Sequence, residues 1–225
     1  MAKKAQRLLP FGEESWVRLW SVPVSLVPLP KRTSDTDPIH VDWLDGLRLS
    51  GQIGLTFAPG KIGSAAFGGA WDRDLDKDLD RLAREYRVDV LICLVEYWEL
   101  ANWQIEALFT KCGDRGITPY WEPVVDMMAP TNKQADRVVK IALAAAAQGK
   151  RVVIHCRGGR GRAGTLGACC YVVQGYGPMT SIELTRLCRP GTVETMEQEG
   201  FVVRYAKRLR QLARDKRSME SENNQ

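Results

Sequence analysis

Residues 152–165 read VVIHCRGGRGRAGT. A β-branched apolar run ends at a His-Cys pair, and the next seven residues hold three arginines and three glycines. The run has the length and composition of a buried strand, and LGACCYVVQ beyond the loop has the character of a helix. The chain therefore places a thiol at the end of a strand, surrounded by positive charge and bare backbone. Gly159, Gly161 and Gly164 satisfy G-x-G-x-x-G between strand and helix. A dinucleotide-binding unit, however, needs a further strand ending in an acidic residue. Here YGPMTSIELTRL follows, another helical stretch, so Glu183 is in the wrong context and that reading fails. A nucleotide P-loop fails too, because Thr165 follows Gly164 directly with no lysine between them.

The reading that survives uses the thiol. Cys156, five residues and Arg162 form C-x5-R, a spacing no other cysteine of the chain shares. Such a loop can curl round a tetrahedral oxyanion, its successive N–H groups pointing inward and a helix N-terminus beneath. Gly158, Gly159 and Gly161 allow the torsions and the close approach this needs. Arg162 can offer two phosphate oxygens a bidentate fork. The same field favours the Cys156 thiolate, which makes it a nucleophile. A core cysteine beside a solvated turn is the bland alternative, and three arginines with three glycines are a poor way to build a core.

HCRGGRGRAGT resembles the signature of the cysteine-dependent protein tyrosine and dual-specificity phosphatases. Within them the chain looks most like the kinase-associated phosphatase (cyclin-dependent kinase inhibitor 3-like) group and its bacterial relatives. GLTFAPGK, WDRDLDKDLDRL and RPGTVETMEQEGFV share that likeness, which runs from about residue 45 to 210. The resemblance implies a protein phosphatase working through a phosphocysteine, without metal or cofactor, on a phosphorylated protein. It also implies an aspartic acid on a separate loop about thirty residues before the cysteine. Asp126 stands there, at the end of the apolar run in WEPVVD, with Glu122 as a rival acid. An acid within reach would protonate the leaving oxygen and later activate water.

Two departures from the family pattern carry expectations. Ala163 stands where the family usually has Ser or Thr to help release the thiolate, and Thr165 is two residues further on. Arg157 and Arg160 occupy positions where phosphoinositide phosphatases carry lysines. They suggest a substrate with more than one negative group, unless local carboxylates pair with them. Alternatives are therefore a phosphatase of phosphoinositides or another polyanionic phosphate, and a weakly active phosphoprotein-binding module. His155 is expected to bond loop carbonyls and orient the cysteine, and Gln198 to help position water. Cys93 could pair with oxidised Cys156, although a core role fits it better.

The rest of the chain sets limits. It has 225 residues, a net charge of +5, 44% hydrophobic and 26% charged residues, ordinary for a globular chain. Spread-out charge of that size gives no reason to expect a nucleic-acid partner. Six cysteines without a C-x2-C pair, and only two histidines, argue against zinc and fit a reducing cytoplasmic setting. WVRLWSVPVSLVPLP is too short and too rich in proline to span a bilayer, and it suits a signal peptide poorly. The organisation expected is an N-terminal extension over 1–40, a phosphatase domain over 41–212 and a polar, frayed tail over 213–225.

Elements are expected outward from the loop. LRLSGQIGLTF alternates apolar residues like a half-buried strand, VDVLICLV is a buried strand, and ITPYWEPVV is extended up to Asp126. WDRDLDKDLDRLAREYR, NWQIEALFTKC and TNKQADRVVKIALAAAAQ read as helices. The aspartates of the first fail the calcium-loop pattern, with Lys77 and Ala83 at two required positions, and read as a helix N-terminus. Capping boxes are expected at Thr131 with Gln134, Thr180 with Glu183, and Thr195 with Gln198. Strands alternating with helices predict an α/β domain with a mostly parallel sheet covered on both faces.

Overall fold

Val152, Ile154 and Cys156 pack into one hydrophobic core and Val153 into another, so the strand that opened the reading is buried on both sides. The computed structural model describes residues 30–64 and 69–222. Its strands are β1 (Asp42–Trp43), β2 (Gln52–Phe57), β3 (Ile62–Gly63), β4 (Trp71–Asp72), β5 (Val90–Cys93), β6 (Thr118–Trp121) and β7 (Arg151–Cys156). The helices are α1 (Leu75–Arg84), α2 (Tyr97–Asn102), α3 (Leu108–Gly113), α4 (Asn132–Ala147), α5 (Gly161–Val173), α6 (Pro178–Cys188) and α7 (Met196–Glu222).

The main sheet has the order β1-β2-β7-β5-β6, with β2, β7, β5 and β6 parallel and β1 antiparallel at one edge. Side chains alternate across it. Val90 and Ile92 join Val152 and Ile154 under α4 and α5, while Leu91 and Cys93 join Val153 over α1, α2 and α3. This is the two-faced α/β architecture that the sequence predicts. β2 departs from the expectation of a half-buried strand: only Gln52 is exposed, because α4 and α5 cover one face and the segment of residues 40–43 covers the other. Leu47 and Leu49 lie in the turn before it.

Several local signals hold. Asp74 caps α1 by accepting from the Lys77 N–H, and Thr131 with Gln134 forms the capping box of α4. Thr195 and Gln198 cap α7 in the same reciprocal way. The box expected at Thr180 is absent, since α6 begins earlier, at Gly177 with Pro178 in its first turn. Proline there lacks only an N–H that would have no helical partner. The helix expected over NWQIEALFTKC begins only at Leu108. Gln104 at φ +56° breaks it from α2, which the sequence reading missed. Every residue of α5 from Gly161 to Val172 is buried, and its small residues let neighbours close in. A Cβ on Gly164 would lie 2.7 Å from the Thr192 Cβ.

Most of the expected 1–40 extension, residues 1–29, lies outside the described residues. Its remainder belongs to the fold: Arg32 bridges to Trp71, and Ile39 is fully buried. At the other end α7 continues as helix through Glu222 where a frayed tail was expected, although its residues 211–220 are exposed. Among the described residues, no helix is long and apolar enough to cross a membrane.

Candidate active site

The carboxyl ends of the four parallel strands converge at one edge of the sheet. Segments leaving them bring Lys61, Glu99, Asp126 and the loop 156–162 together, the usual location of sites in open α/β sheets. A pocket of about 780 Å³ opens there. Cys156, Arg157, Gly158, Arg160, Gly161, Arg162 and Asp126 all line it, so the residues picked from sequence for nucleophile, cradle and acid meet there except Gly159.

Cys156 ends β7 and is 3% exposed. The loop then turns directly into α5, so the first turn of that helix lies under the pocket. Gly159 takes φ +70°, and a Cβ there would sit 2.3 Å from the Thr56 carbonyl oxygen. Gly161 is confined by proximity instead: a Cβ would lie 2.9 Å from the buried Gln198 amide nitrogen. Gly158 shows neither constraint.

Arg162 is 1% exposed, and its fork is already held. Nη1 and Nη2 donate to the two carboxylate oxygens of Glu99 at 2.6 and 2.8 Å, and Nη1 donates to the Val124 carbonyl at 3.0 Å. Nη2 also lies 2.9 Å from Asp126 Oδ1. Burial works against the Arg162 charge, yet Glu99, Cys156 and Asp126 outweigh it and push its pKa up. A guanidinium gripped this way has a fixed plane, with Asp126 on the pocket side. Glu99, itself 1% exposed, is a site residue that the sequence reading missed. Its local signature is that of a helix cap, since its side chain also accepts from the Glu96 N–H.

Asp126 is not at a strand end as expected; it sits in the loop after β6, half-buried. Arg157 approaches its other oxygen at 3.9 Å. Met127, next to it, adopts φ +62°, an uncommon backbone state for a side chain of this size. Gln198 holds that loop in place. Its Nε2 donates to the Met127 and Met128 carbonyls at 3.4 and 3.2 Å, and its Oε1 accepts from the Glu194 and Thr195 N–H groups. With every amide position committed and no exposure, Gln198 clamps the loop and has nothing left with which to position water. Glu122, the rival acid, is gripped by Arg137 at 2.5 and 2.6 Å and does not line the pocket.

Other expectations are corrected. By hydrogen-bond geometry neither ring nitrogen of His155 has a partner, although the Cys156 backbone lies close enough to favour the charged ring. Complete burial, and then the Arg162 charge, lower its pKa to about 3 and keep the ring neutral. Thr165 donates to the Gly161 carbonyl at 2.7 Å and is buried, so its hydroxyl serves the helix. Cys93 lies on the opposite sheet face from Cys156, in the other core, and burial raises its thiol to about 12. It is a core residue.

Two buried cations that the sequence reading did not pick also line the pocket. Lys61 Nζ donates to the Arg157 carbonyl at 3.1 Å, and Arg189 Nη2 donates to the Gly158 carbonyl at 2.9 Å. Arg189 is further paired with Asp42.

A thiol on an arginine-anchored loop, with a carboxylate across the pocket, defines the class of cysteine phosphatases. Residues 73–202 match the family model described as "Swiss Army Knife protein, DSP-PTPase phosphatase domain", more than half of the chain, and the protein belongs to that family. Cyclin-dependent kinase inhibitor 3 of Rattus norvegicus is 24% identical over 178 residues, 76% of this chain and 81% of that protein. An uncharacterized protein of Methanocaldococcus jannaschii is 36% identical over 93 residues, 41% of this chain and 62% of that one. Among solved structures, kinase associated phosphatase with its catalytic cysteine replaced by serine aligns with a TM-score of 0.68 at 21% identity. That alignment covers 76% of this chain and 96% of that one. PTPMT1 aligns with a TM-score of 0.60 at 21% identity, covering 78% and 99%. These two likenesses concern the fold.

Proposed function

We propose that the protein hydrolyses phosphomonoesters of phosphorylated proteins through a cysteinyl-phosphate on Cys156. The observation that carries this reading is that Cys156, Arg162 and Asp126 line one pocket, with Asp126 Oδ1 2.9 Å from Arg162 Nη2. In the first step the Cys156 thiolate attacks phosphorus, the ester P–O bond breaks, and the leaving oxygen takes the Asp126 proton. In the second, water attacks phosphorus, gives a proton to Asp126, and the S–P bond breaks, releasing phosphate and the thiolate. The bound phosphate displaces Asp126 from Arg162, which turns the carboxyl toward the leaving oxygen.

Ala163 is fully buried and Thr165 is committed to the helix, so no hydroxyl follows Arg162 to assist release of the thiolate. Breakdown of the phosphocysteine is then the slower step, and an activated aryl phosphate should give a burst of product before steady turnover.

The experiment is Cys156→Ser, tested with phosphotyrosine and phosphothreonine peptides and with a phosphoinositide. Turnover should vanish while anion binding survives, because the backbone cradle is unchanged and an alkoxide is far less accessible than a thiolate. Turnover retained by a folded Cys156→Ser protein would end this reading. One observation favours a polyanionic substrate as a second reading: Arg160 lines the pocket and takes part in no ion pair among the described residues.

A further inference from the structure

Lys61 is 6% exposed and forms no ion pair among the described residues. A buried ammonium without a carboxylate is costly, so its surroundings need a physical account. Its Nζ lies 3.9 Å from the centre of the Trp71 ring and 4.6 Å from that of Phe57. Aromatic faces attract a desolvated cation, which offsets part of the cost. Among the described residues, the one hydrogen bond of its ammonium runs to the Arg157 carbonyl of the phosphate loop.

The turn that delivers Lys61 is itself built for the purpose. Gly60 adopts φ +68°, and a Cβ there would press on Leu75 at 2.7 Å. Its N–H donates to Asp78 at 2.9 Å, and Asp78 is held in a buried two-pronged pair by Arg73, both bonds at 2.8 Å. The aspartate run that imitated a calcium loop thus contains the anchor of this turn.

A trans peptide points its C=O and the following N–H in opposite directions. Holding the Arg157 carbonyl at Lys61 on the pocket wall turns the Gly158 N–H away from Lys61. We propose that Lys61 is a positioning residue for the bound phosphate: it fixes the Arg157–Gly158 peptide so that the amide faces the anion, and adds its charge to the cradle. The proposal rests on the phosphomonoesterase reading for its substrate but concerns binding of the anion.

The charge is conditional. Burial first, then Arg73, Arg189 and Arg157, lower the Lys61 pKa to about 7, with Cys156 acting in the opposite sense. These four groups face it from the turn before α1, the phosphate loop and the segment after α6. Arg32 stacks on the same Trp71 ring, and His40 and Asp126 line the same pocket. Lys61 is charged below its pKa and neutral above it. A bound dianion favours the charged form, so anion affinity should fall as pH rises through about 7.

The test uses the full chain carrying Cys156→Ser, which removes the nucleophile, and sulfate, a tetrahedral dianion that keeps its charge over this range. Calorimetry would follow sulfate affinity from about pH 6 to about pH 8.5. The expected loss is on the order of tenfold across that range. Adding Lys61→Arg should flatten the profile, because guanidinium stays charged. Adding Lys61→Met should leave binding weak, by about tenfold at low pH, and nearly independent of pH. A Lys61→Met protein that binds sulfate like its parent would overturn the proposal, as would a Lys61→Arg protein that keeps the parent's pH slope. Should Lys61→Met fail to fold, the Lys61→Arg slope alone decides. Sulfate binding needs no turnover, so a wild-type protein that hydrolysed nothing would refute the catalytic reading without touching this result.

Discussion

The two loops that make the pocket are held in opposite ways. The phosphate loop is gripped from every side: Lys61 and Arg189 bond consecutive carbonyls, Gly159 is pressed against β2, and Glu99 fixes the plane of Arg162. The acid loop after β6 is mostly exposed, with Val125 at 57%, Met127 at 55% and Met128 at 52%. Its root is tied by the Val124 N–H to the Leu94 carbonyl and by Gln134 to the Pro123 carbonyl, and Arg162 contacts the Val124 carbonyl and Asp126, while its tip hangs on the Gln198 clamp over a residue at positive φ. On the proposed mechanism, the difference follows from the work each loop would do. A cradle that stabilises charge gains by being fixed before the substrate arrives. An acid that must meet a leaving oxygen, then a water, gains by being free to shift.

The largest expected effect comes from breaking the rigid side. Glu99→Ala would leave Arg162 buried and charged with only two carbonyls and Asp126 for company. Losing one partner of a buried pair typically costs about 3–5 kcal/mol. Urea unfolding should show a loss of that order, with turnover falling alongside. A Glu99→Ala protein as stable and active as wild type would mean that the Arg162 fork needs no such support.

Asp126→Asn tests the mobile side. Turnover of phosphotyrosine-like or alkyl phosphates should drop on the order of a hundredfold. An activated aryl phosphate, whose leaving group needs little protonation, should lose much less. Stability should change little, since Asp126 is half-buried and Glu99 still holds Arg162. Equal losses across leaving groups would make Asp126 a structural partner of Arg162 instead of an acid.

The same contrast explains what could be read from the chain. Cys156 and Arg162 share one short loop, so their pairing is written in local spacing, and the loop runs from a strand into a helix as its flanks suggest. Asp126 was found by its distance along the chain and by the likeness to the family, although its place at a strand end was wrong. Glu99 lies 63 residues from Arg162 and reads locally as a helix-capping glutamate. Its one signal was a charge set among Tyr97, Trp98, Leu100 and Ala101 just after a buried strand. Lys61 and Arg189 are 96 and 31 residues from the carbonyls they hold, and no local pattern marks such contacts. The expected role of Gln198 failed for a related reason: a glutamine's duty depends on which backbone groups surround it. The parallel sheet was legible because its strands are apolar runs between helical periods. The break at Gln104 was not, since nothing in NWQIEALFTKC interrupts the apolar spacing.

The smallest effect expected is at the rim, where neither loop's constraint applies. Arg160 is exposed and lines the pocket, and its side chain runs beside Gly191, whose Cβ would come 3.7 Å from the Arg160 Cδ. Its backbone carbonyl, accepting from the Gly164 and Val193 N–H groups, would survive a side-chain change. Replacing Arg160 with Leu should therefore leave a small monoester, which contacts only the cradle and Arg162, turning over nearly as before. A multiply phosphorylated or acidic substrate should lose about 1–3 kcal/mol of affinity, the worth of a charge-assisted contact. Added salt should erode the wild-type preference, because an exposed charge is screened over roughly 10 Å at 0.1 M. The measurement is kcat/KM for both substrate types, wild type against Arg160→Leu, at low and high ionic strength. If both substrates fall together, Arg160 shapes the loop through its Gly191 contact and the polyanion reading is dropped. If neither falls, the side chain is a solvated bystander, and selectivity must come from the buried cations beneath it.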